Sequence, residues 1–272
     1  CRWNDRLGAI SMTVILGGGG GAFPQLTITQ SQTWVPELDG NVCIHVIGAG
    51  SAGMGGNSTR GGGAGAYAKV PSIAVTTSGS YALVVGVGGV GNYGNFTGNP
   101  GGASSIAGTG LTGTKTCGGG GAATTSVNGA GGTVSGSGES WAGFTGGAGS
   151  TSGGAVGVYA TGGNGQIRVT DAAAGGLAMS GYGIICGGSQ IYGNPQIDYS
   201  LAGQSPSLPI DAGDLCGGVA IYTDETLTKV YGGNGGIGGG GGAGRNTSNN
   251  GTYQGWGGRG GDGIILIQYL PW

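Results

Sequence analysis

Asn41-Val42-Cys43-Ile44-His45-Val46-Ile47 runs without a break into Gly48-Ala49-Gly50-Ser51-Ala52-Gly53, and that junction decides the fold. Seven residues rich in β-branched side chains read as a strand, and the chain then passes into a glycine tract too long for a turn. The same alternation recurs outward in both directions. Strand-like runs cover Ser11 to Leu16, Gln25 to Trp34, Asn41 to Ile47, Ala66 to Val75, Tyr81 to Val87, Gly165 to Thr170, Val219 to Thr223 and Gly263 to Tyr269. Between them lie Gly17 to Gly21, Gly48 to Gly65, Gly118 to Gly121, Gly129 to Gly154 and Gly232 to Gly244.

Glycine supplies 75 of the 272 residues, about four times the usual share of roughly 7%. Each glycine costs a helix about 1 kcal/mol relative to alanine, and no apolar set recurs at helical spacing, so almost no helix is expected. Charged residues are only 7% and the formal net charge is −2. Disorder couples low hydrophobicity to high charge, whereas 37% of this chain is apolar, so a folded protein is expected. Extended threefold segments of the polyglycine-II kind satisfy these demands. They have no internal hydrogen bonds, so each N–H and C=O is left to pair with a neighbouring segment, and a missing Cβ lets backbones approach. Collagen is excluded, since Gly238 to Gly242 is an unbroken glycine run in a chain with 8 Pro and collagen needs strict Gly-X-Y. The expectation is an all-β protein, a β-sandwich-like framework with polyglycine-II-like tracts.

Thr161-Gly162-Gly163-Asn164-Gly165-Gln166-Ile167-Arg168-Val169 resembles Arg259-Gly260-Gly261-Asp262-Gly263-Ile264-Ile265-Leu266-Ile267. This repeat divides the chain into an N-terminal attachment segment, 1–24, a first glycine-rich β unit, 25–171, and a second unit, 172–272, which carries a less glycine-rich insertion at 177–231.

A second resemblance rests on Gln32-Thr33-Trp34-Val35-Pro36, the junction at residues 41–50, Gly61-Gly62-Gly63-Ala64-Gly65-Ala66-Tyr67-Ala68, and Ser80-Tyr81-Ala82-Leu83-Val84-Val85-Gly86-Val87. It continues through Gly101-Gly102-Ala103-Ser104-Ser105-Ile106 and closes with Gly260-Gly261-Asp262-Gly263-Ile264-Ile265-Leu266-Ile267-Gln268-Tyr269. In this order the segments resemble the glycine-rich domains of bacteriophage tail-fibre and tail-tip adhesins. The resemblance implies a β-rich jacket on polyglycine-II packing, with loops between the tracts binding a host-surface receptor, protein or glycan. It further implies a place in the virion tail after assembly in the bacterial cytoplasm, beside other tail and fibre proteins, as a homotrimer or as one copy capping a trimer.

Little supports chemistry. His45 is the only histidine and alternates with Cys43 and Ile47 on one strand face, the setting of a structural imidazole. Asp198, Asp211 and Asp214 share a glycine-poor stretch, yet nothing fixes the spacing a glycosidase pair requires. Gly48-Ala49-Gly50-Ser51-Ala52-Gly53 fits a dinucleotide fingerprint by composition alone, with more glycine where a helix should follow. The five cysteines, Cys1, Cys43, Cys117, Cys186 and Cys216, include no C-x-x-C pair, so neither a zinc site nor a disulfide scaffold is expected. No signal supports lipidation of Cys1. The expectation is a protein that is not an enzyme and takes no cofactor or metal. Without a basic stripe or an apolar run of about 20 residues, nucleic acid and membrane insertion are poor candidates too.

Aromatic rings on glycine- and asparagine-rich loops are the candidate receptor-binding residues: Tyr93 and Phe96, Trp141 and Phe144, Tyr253 and Trp256, with Tyr182, Tyr192 and Tyr199 in the proline-containing insertion. Rings give large contact area at low entropic cost, beside amides that can orient a sugar. The alternative is that they plug gaps over tracts with no side chains, a role that suits Trp141 and Trp256 better. Two other readings stay open: a purely structural virion component, and an ice-binding or cell-surface glycine-rich protein, which a regular Thr ladder would favour.

Overall fold

A computed structural model describes residues 10–14, 24–55, 60–92, 97–146, 148–149, 190–192, 220–223, 230–231, 234–246 and 255–271. Among them are sixteen strands and no helix. In chain order the strands are β1 (Ile10–Val14), β2 (Pro24–Ile28), β3 (Gln32–Trp34), β4 (Gly40–Ile47), β5 (Tyr67–Val75), β6 (Tyr81–Val84), β7 (Ser104–Gly108) and β8 (Lys115–Cys117). There follow β9 (Val134–Ser135), β10 (Ala142–Phe144), β11 (Gln190–Tyr192), β12 (Ala220–Thr223), β13 (Val230–Tyr231), β14 (Gly244–Asn246), β15 (Gly255–Trp256) and β16 (Ile264–Tyr269). The predicted strand at Gly165 to Thr170, the tract at Gly17 to Gly21 and the first copy of the repeat lie outside the described residues.

Two antiparallel sheets form the framework, one ordered β1-β2-β16-β4-β5-β10 and the other β3-β6-β7-β8-β9. Alternation along each strand decides what lies between them. Val42, Ile44 and Val46 on β4, Val70 and Ile73 on β5, and Ile265 and Ile267 on β16 turn inward to meet Leu83 and Ile106 of the second sheet. Trp34 and Tyr81 stack at 5.1 Å between ring centroids in the same core. The closing strand β16 lies between β2 and β4, so the two ends of the described chain share one sheet.

The single run expected from Gln25 to Trp34 is two strands. β2 belongs to the first sheet and β3 to the second, and the chain crosses between layers at residues 29–31. The crossing is held by Ser31 Oγ, which accepts from Val85 N–H at 2.9 Å. Leu26 and Ile28 thus enter the core from one layer and Trp34 from the other.

Beyond the sandwich, strands continue as extended glycine-rich rods. Numbered along the chain, rod one is 48–55, rod two 60–66, rod three 86–92, rod four 97–103, rod five 117–123, rod six 129–133, rod seven 238–243 and rod eight 257–263. Rod one donates in a strict period of three. Gly48, Ser51 and Met54 N–H reach Ala66, Gly63 and Arg60 carbonyls on rod two at 2.8, 2.9 and 3.0 Å. Ala49 and Ala52 donate to Gly102 and Asn99 on rod four, and Gly50 and Gly53 to Gly261 and Gly258 on rod eight. The carbonyls of Ala49, Gly50 and Ser51 accept in turn from Gly120 of rod five, Gly89 of rod three and Gly241 of rod seven. Six rods therefore surround one.

That ring closes on itself. Gly62 donates to Gly241, Gly258 to Gly242, Gly260 to Gly89, Gly102 to Val87, Gly101 to Gly120 and Ala66 to Gly118, all at 2.8–2.9 Å. Threefold extended segments pairing in three directions are the polyglycine-II arrangement. Glycine is required where rods touch: a Cβ on Gly50 or Gly53 would stand within 3.0 Å of the Gly239 or Gly242 carbonyl group, a separation real Cβ atoms essentially never show. The remaining positions of rod one are small or flexible, and Ala49, Ser51, Ala52 and Met54 are wholly buried.

A candidate binding face at the rod ends

Direction of travel gathers the connections. Rods one, three, five and seven leave the sandwich, and rods two, four, six and eight return, as their falling partner numbers show (48, 51, 54 against 66, 63, 60). Rods one and two are joined by residues 56–59, three and four by 93–96, five and six by 124–128, and seven and eight by 244–256. All four connections start and finish at the end of the bundle remote from the sandwich. The opposite turn, at Ile237 and Gly238, packs on the sandwich against Ile47, Tyr67 and Ile264.

The described part of this end face is polar and hydrogen-bonded. Arg60 reaches from rod two to the neighbouring tip, with Nε donating to the Thr125 carbonyl and Nη1 to Asn128 Oδ1, both at 3.1 Å. The tip itself is a turn in which Thr124 N–H donates to the Val127 carbonyl at 2.8 Å and Val127 N–H to Thr124 Oγ1 at 3.0 Å. Val127 is left 60% exposed. Asn92 brackets the next connection, donating from Nδ2 to the Thr97 carbonyl at 2.9 Å and accepting from Gly257 N–H at 3.1 Å.

The candidate aromatic residues are distributed unevenly. Trp256 stands at this end, on β15, which pairs in parallel with β13. Tyr192 is on β11, whose parallel partner β12 pairs with β14, the direct continuation of rod seven. Tyr192 is there in register with Tyr222, and Tyr222 with Arg245. Trp141 lies at the opposite end, beyond β9, packed on the sandwich core with its indole N–H donated to the Ser135 carbonyl at 3.1 Å. Phe144 follows on β10, in register with Tyr67. Tyr93, Phe96, Tyr182, Tyr199 and Tyr253 lie outside the described residues. Arg60, Asn92 and Asn128 were missed in the sequence, because each becomes notable only once rods distant in sequence lie side by side.

His45 sits on the outer face of the first sheet. Its Nδ1 shares a hydrogen bond of 2.8 Å with the Tyr67 hydroxyl, and its Nε2 is 3.3 Å from Cys43 Sγ. Burial, with help from the Lys69 charge, lowers its pKa, and burial raises that of Cys43. A neutral imidazole facing a neutral thiol is a packing arrangement rather than an activated nucleophile. The described carboxylates tie loops: Asp39 accepts from Thr77 N–H at 2.6 Å, and Asp262 accepts from Gly88 N–H at 2.7 Å while pairing with Arg259 at 2.5 Å. Asp198, Asp211 and Asp214 lie outside the described residues. Among the described residues no three His, Cys, Asp or Glu side chains converge as a metal site, and no helix is long and apolar enough to cross a membrane.

A β-sandwich whose strands run on into a hexagonal bundle of polyglycine-II rods defines a glycine-rich structural domain. The chain belongs to the glycine-rich domain family, whose pattern matches residues 26–270. Comparison with curated proteins found no match.

Proposed function

We propose that this protein is a structural and binding component of a bacteriophage tail, a tail fibre or tail-tip adhesin, that presents loops to a receptor on the host surface. The observation that supports the reading is the return of successive rod pairs to one end, where the rod ends that flank four connections from distant parts of the sequence lie side by side. A rigid scaffold with clustered variable connections is the usual architecture of recognition sites. The sandwich at the other end is the part that would join other tail proteins, and the receptor would be a surface protein or glycan met without catalysis, cofactor or metal.

The test is binding of purified full-length chain to susceptible bacterial cells, set beside Tyr93→Ala with Phe96→Ala. Aromatic anchors carry about 2 kcal/mol or more of an interface, so the double variant should bind roughly 30-fold less tightly at an unchanged melting temperature. Antibody labelling should place the protein on virion tails. A chain built firmly into virions that binds no susceptible cell would leave a purely structural tail role in place of the adhesin.

A further inference from the structure

Cys43 and His45 stand two residues apart on β4, so both side chains leave the outer face of the first sheet. The thiol sulfur and the imidazole Nε2 are 3.3 Å apart, and the other ring nitrogen, Nδ1, lies 2.8 Å from the Tyr67 hydroxyl. The first of these contacts places one proton between a sulfur and a nitrogen, two good ligands for a borderline-soft metal ion. The pair lies just under the surface. Cys43 is 8% exposed and His45 is partly exposed, and Gln268, the partner of Cys43 on β16, is exposed. On the other side the register of β4 with β5 shifts between Val42 and Ile44, so Cys43 has no Cα partner on β5. Such an irregularity re-aims the side chain beside it, and β-bulges gather next to functional sites.

We infer that Cys43 and His45 are the two protein ligands of a zinc site, in which the metal ion takes the place of the bridging proton and water fills the two remaining positions. Zinc–sulfur and zinc–nitrogen bonds are about 2.3 and 2.0–2.1 Å long. With the donors 3.3 Å apart, those lengths close an angle of about 98° at the metal, and the tetrahedral angle needs the donors only about 0.2–0.3 Å further apart. A linear two-coordinate ion would need them about 4.3 Å apart on the same bond lengths. Calcium and magnesium demand oxygen, which this pair does not offer.

The groups around the pair suit the same ion. A metal-bound imidazole keeps its proton on the opposite nitrogen and places it in a hydrogen bond, which fixes the ring. Zinc on Nε2 would put that proton on Nδ1, where the buried Tyr67 hydroxyl is already in position to accept it. His45 is held neutral at pH 7, the form that coordinates, and the charge of Lys69, its register partner on β5, favours the Cys43 thiolate. Binding releases one proton: the Cys43 S–H bond breaks, a sulfur–zinc bond forms, and the proton leaves to solvent. With two positions held by water, the site is open and exchangeable, unlike the closed four-ligand sites that hold a fold together. It belongs to the sandwich and does not depend on the adhesin reading.

Equilibrium dialysis of the full chain against zinc at pH 7, with thiols kept reduced by a phosphine, tests the site, and cobalt(II) serves as its spectroscopic probe. The wild-type chain should bind zinc in a way that Cys43→Ser and His45→Gln each weaken roughly 100-fold, at least the loss caused by removing an outer-shell partner. Cobalt(II) should show the visible bands of a tetrahedral ion and a thiolate charge-transfer band in the near ultraviolet that Cys43→Ser abolishes. His45→Gln leaves every thiol in place, so its loss of binding separates this pair from stray sulfur. Cys117→Ala, which removes a thiol buried in the core, should bind zinc as the wild type does. Thermal melting without metal checks that each variant is folded. A wild-type chain that takes up no zinc, undiminished binding by folded Cys43→Ser or His45→Gln, or a cobalt(II) spectrum without the thiolate band would overturn the inference.

Discussion

Gly53→Ala adds one methyl group at the centre of the bundle, and its effect can be worked out from the rods around it. The new Cβ would stand within 3.0 Å of the Gly242 and Gly241 carbonyl oxygens, both backbone atoms that no side-chain rotation can clear. Rod seven must move outward, which stretches Gly241→Ser51 at 2.8 Å, Gly62→Gly241 at 2.9 Å and Gly258→Gly242 at 2.8 Å beyond the ordinary limit of about 3.2 Å. Overpacking costs about 1–3 kcal/mol, and two or three weakened bonds cost about 1 kcal/mol each. The stiffer unfolded chain of an alanine variant returns about 0.4–1 kcal/mol. The net loss is about 2–6 kcal/mol, a fall of about 4–24 °C in melting temperature for a chain of this size. Thr133→Ala, on the exposed side of rod six, should stay within about 0.5 kcal/mol. Thermal and urea unfolding read both. Equal stability of Gly53→Ala and wild type would refute the close-packed bundle and leave solvated tracts in its place.

Acid should weaken the first sheet. His45 has a native pKa below its ordinary 6.5, so the unfolded state takes up the proton first and stability falls as pH drops from 6.5 towards the native value; melting against pH should show a slope there that His45→Gln removes. Cys117 is buried and its thiol pKa is pushed up to about 12, so it should resist alkylation at pH 8 in the native state and react on unfolding, read by mass spectrometry. Lys115→Met should lower the melting temperature well below that of the wild-type chain, because Lys115 donates to the Thr112 and Ser137 carbonyls as well as pairing with Glu139. Inserting one glycine between Gly119 and Gly120 turns the rest of rod five out of phase with its partners and should abolish cooperative melting. Three residues added at Ser126, in the tip, should be tolerated.

The sandwich was largely legible, and the reason is side-chain chemistry. β4, β5 and β16 announce themselves because Val, Ile and Tyr alternate inward along them. β7 and β8 do not, since Ser104, Ala107, Lys115 and Thr116 carry little hydrophobic pattern and pair only because their neighbours place them. The rods were legible as a type but not as an arrangement. Gly-Gly-Gly donates equally well to any partner, so nothing in rod one says that Gly50 will meet Gly261 and Gly48 will meet Ala66. The spacing of Val84, Val87 and Val90 was in plain view, but a period of three has meaning only in a threefold segment. The same limit governs the candidate site, where Trp141 and Trp256 have similar surroundings in sequence and stand at opposite ends of the molecule.

The period of three also separates stability from recognition. In the central rod, donors facing three directions and carbonyls accepting from three more are satisfied by other rods, so the bundle needs few hydrogen bonds from the connections at its end. The described tip at residues 124–128 bears this out locally: its turn closes on itself through Thr124 and Val127, and its link to the rest is a guanidinium from rod two. A connection that contributes little to the lattice can change in length and side chains at little cost to folding, provided that it enters and leaves on the proper phase. The rod glycines cannot change in this way, because a Cβ added at almost any of them meets neighbouring backbone. A scaffold invariant in its backbone and permissive at one end is suited to meeting a changeable surface, and the glycine content is the physical condition for it.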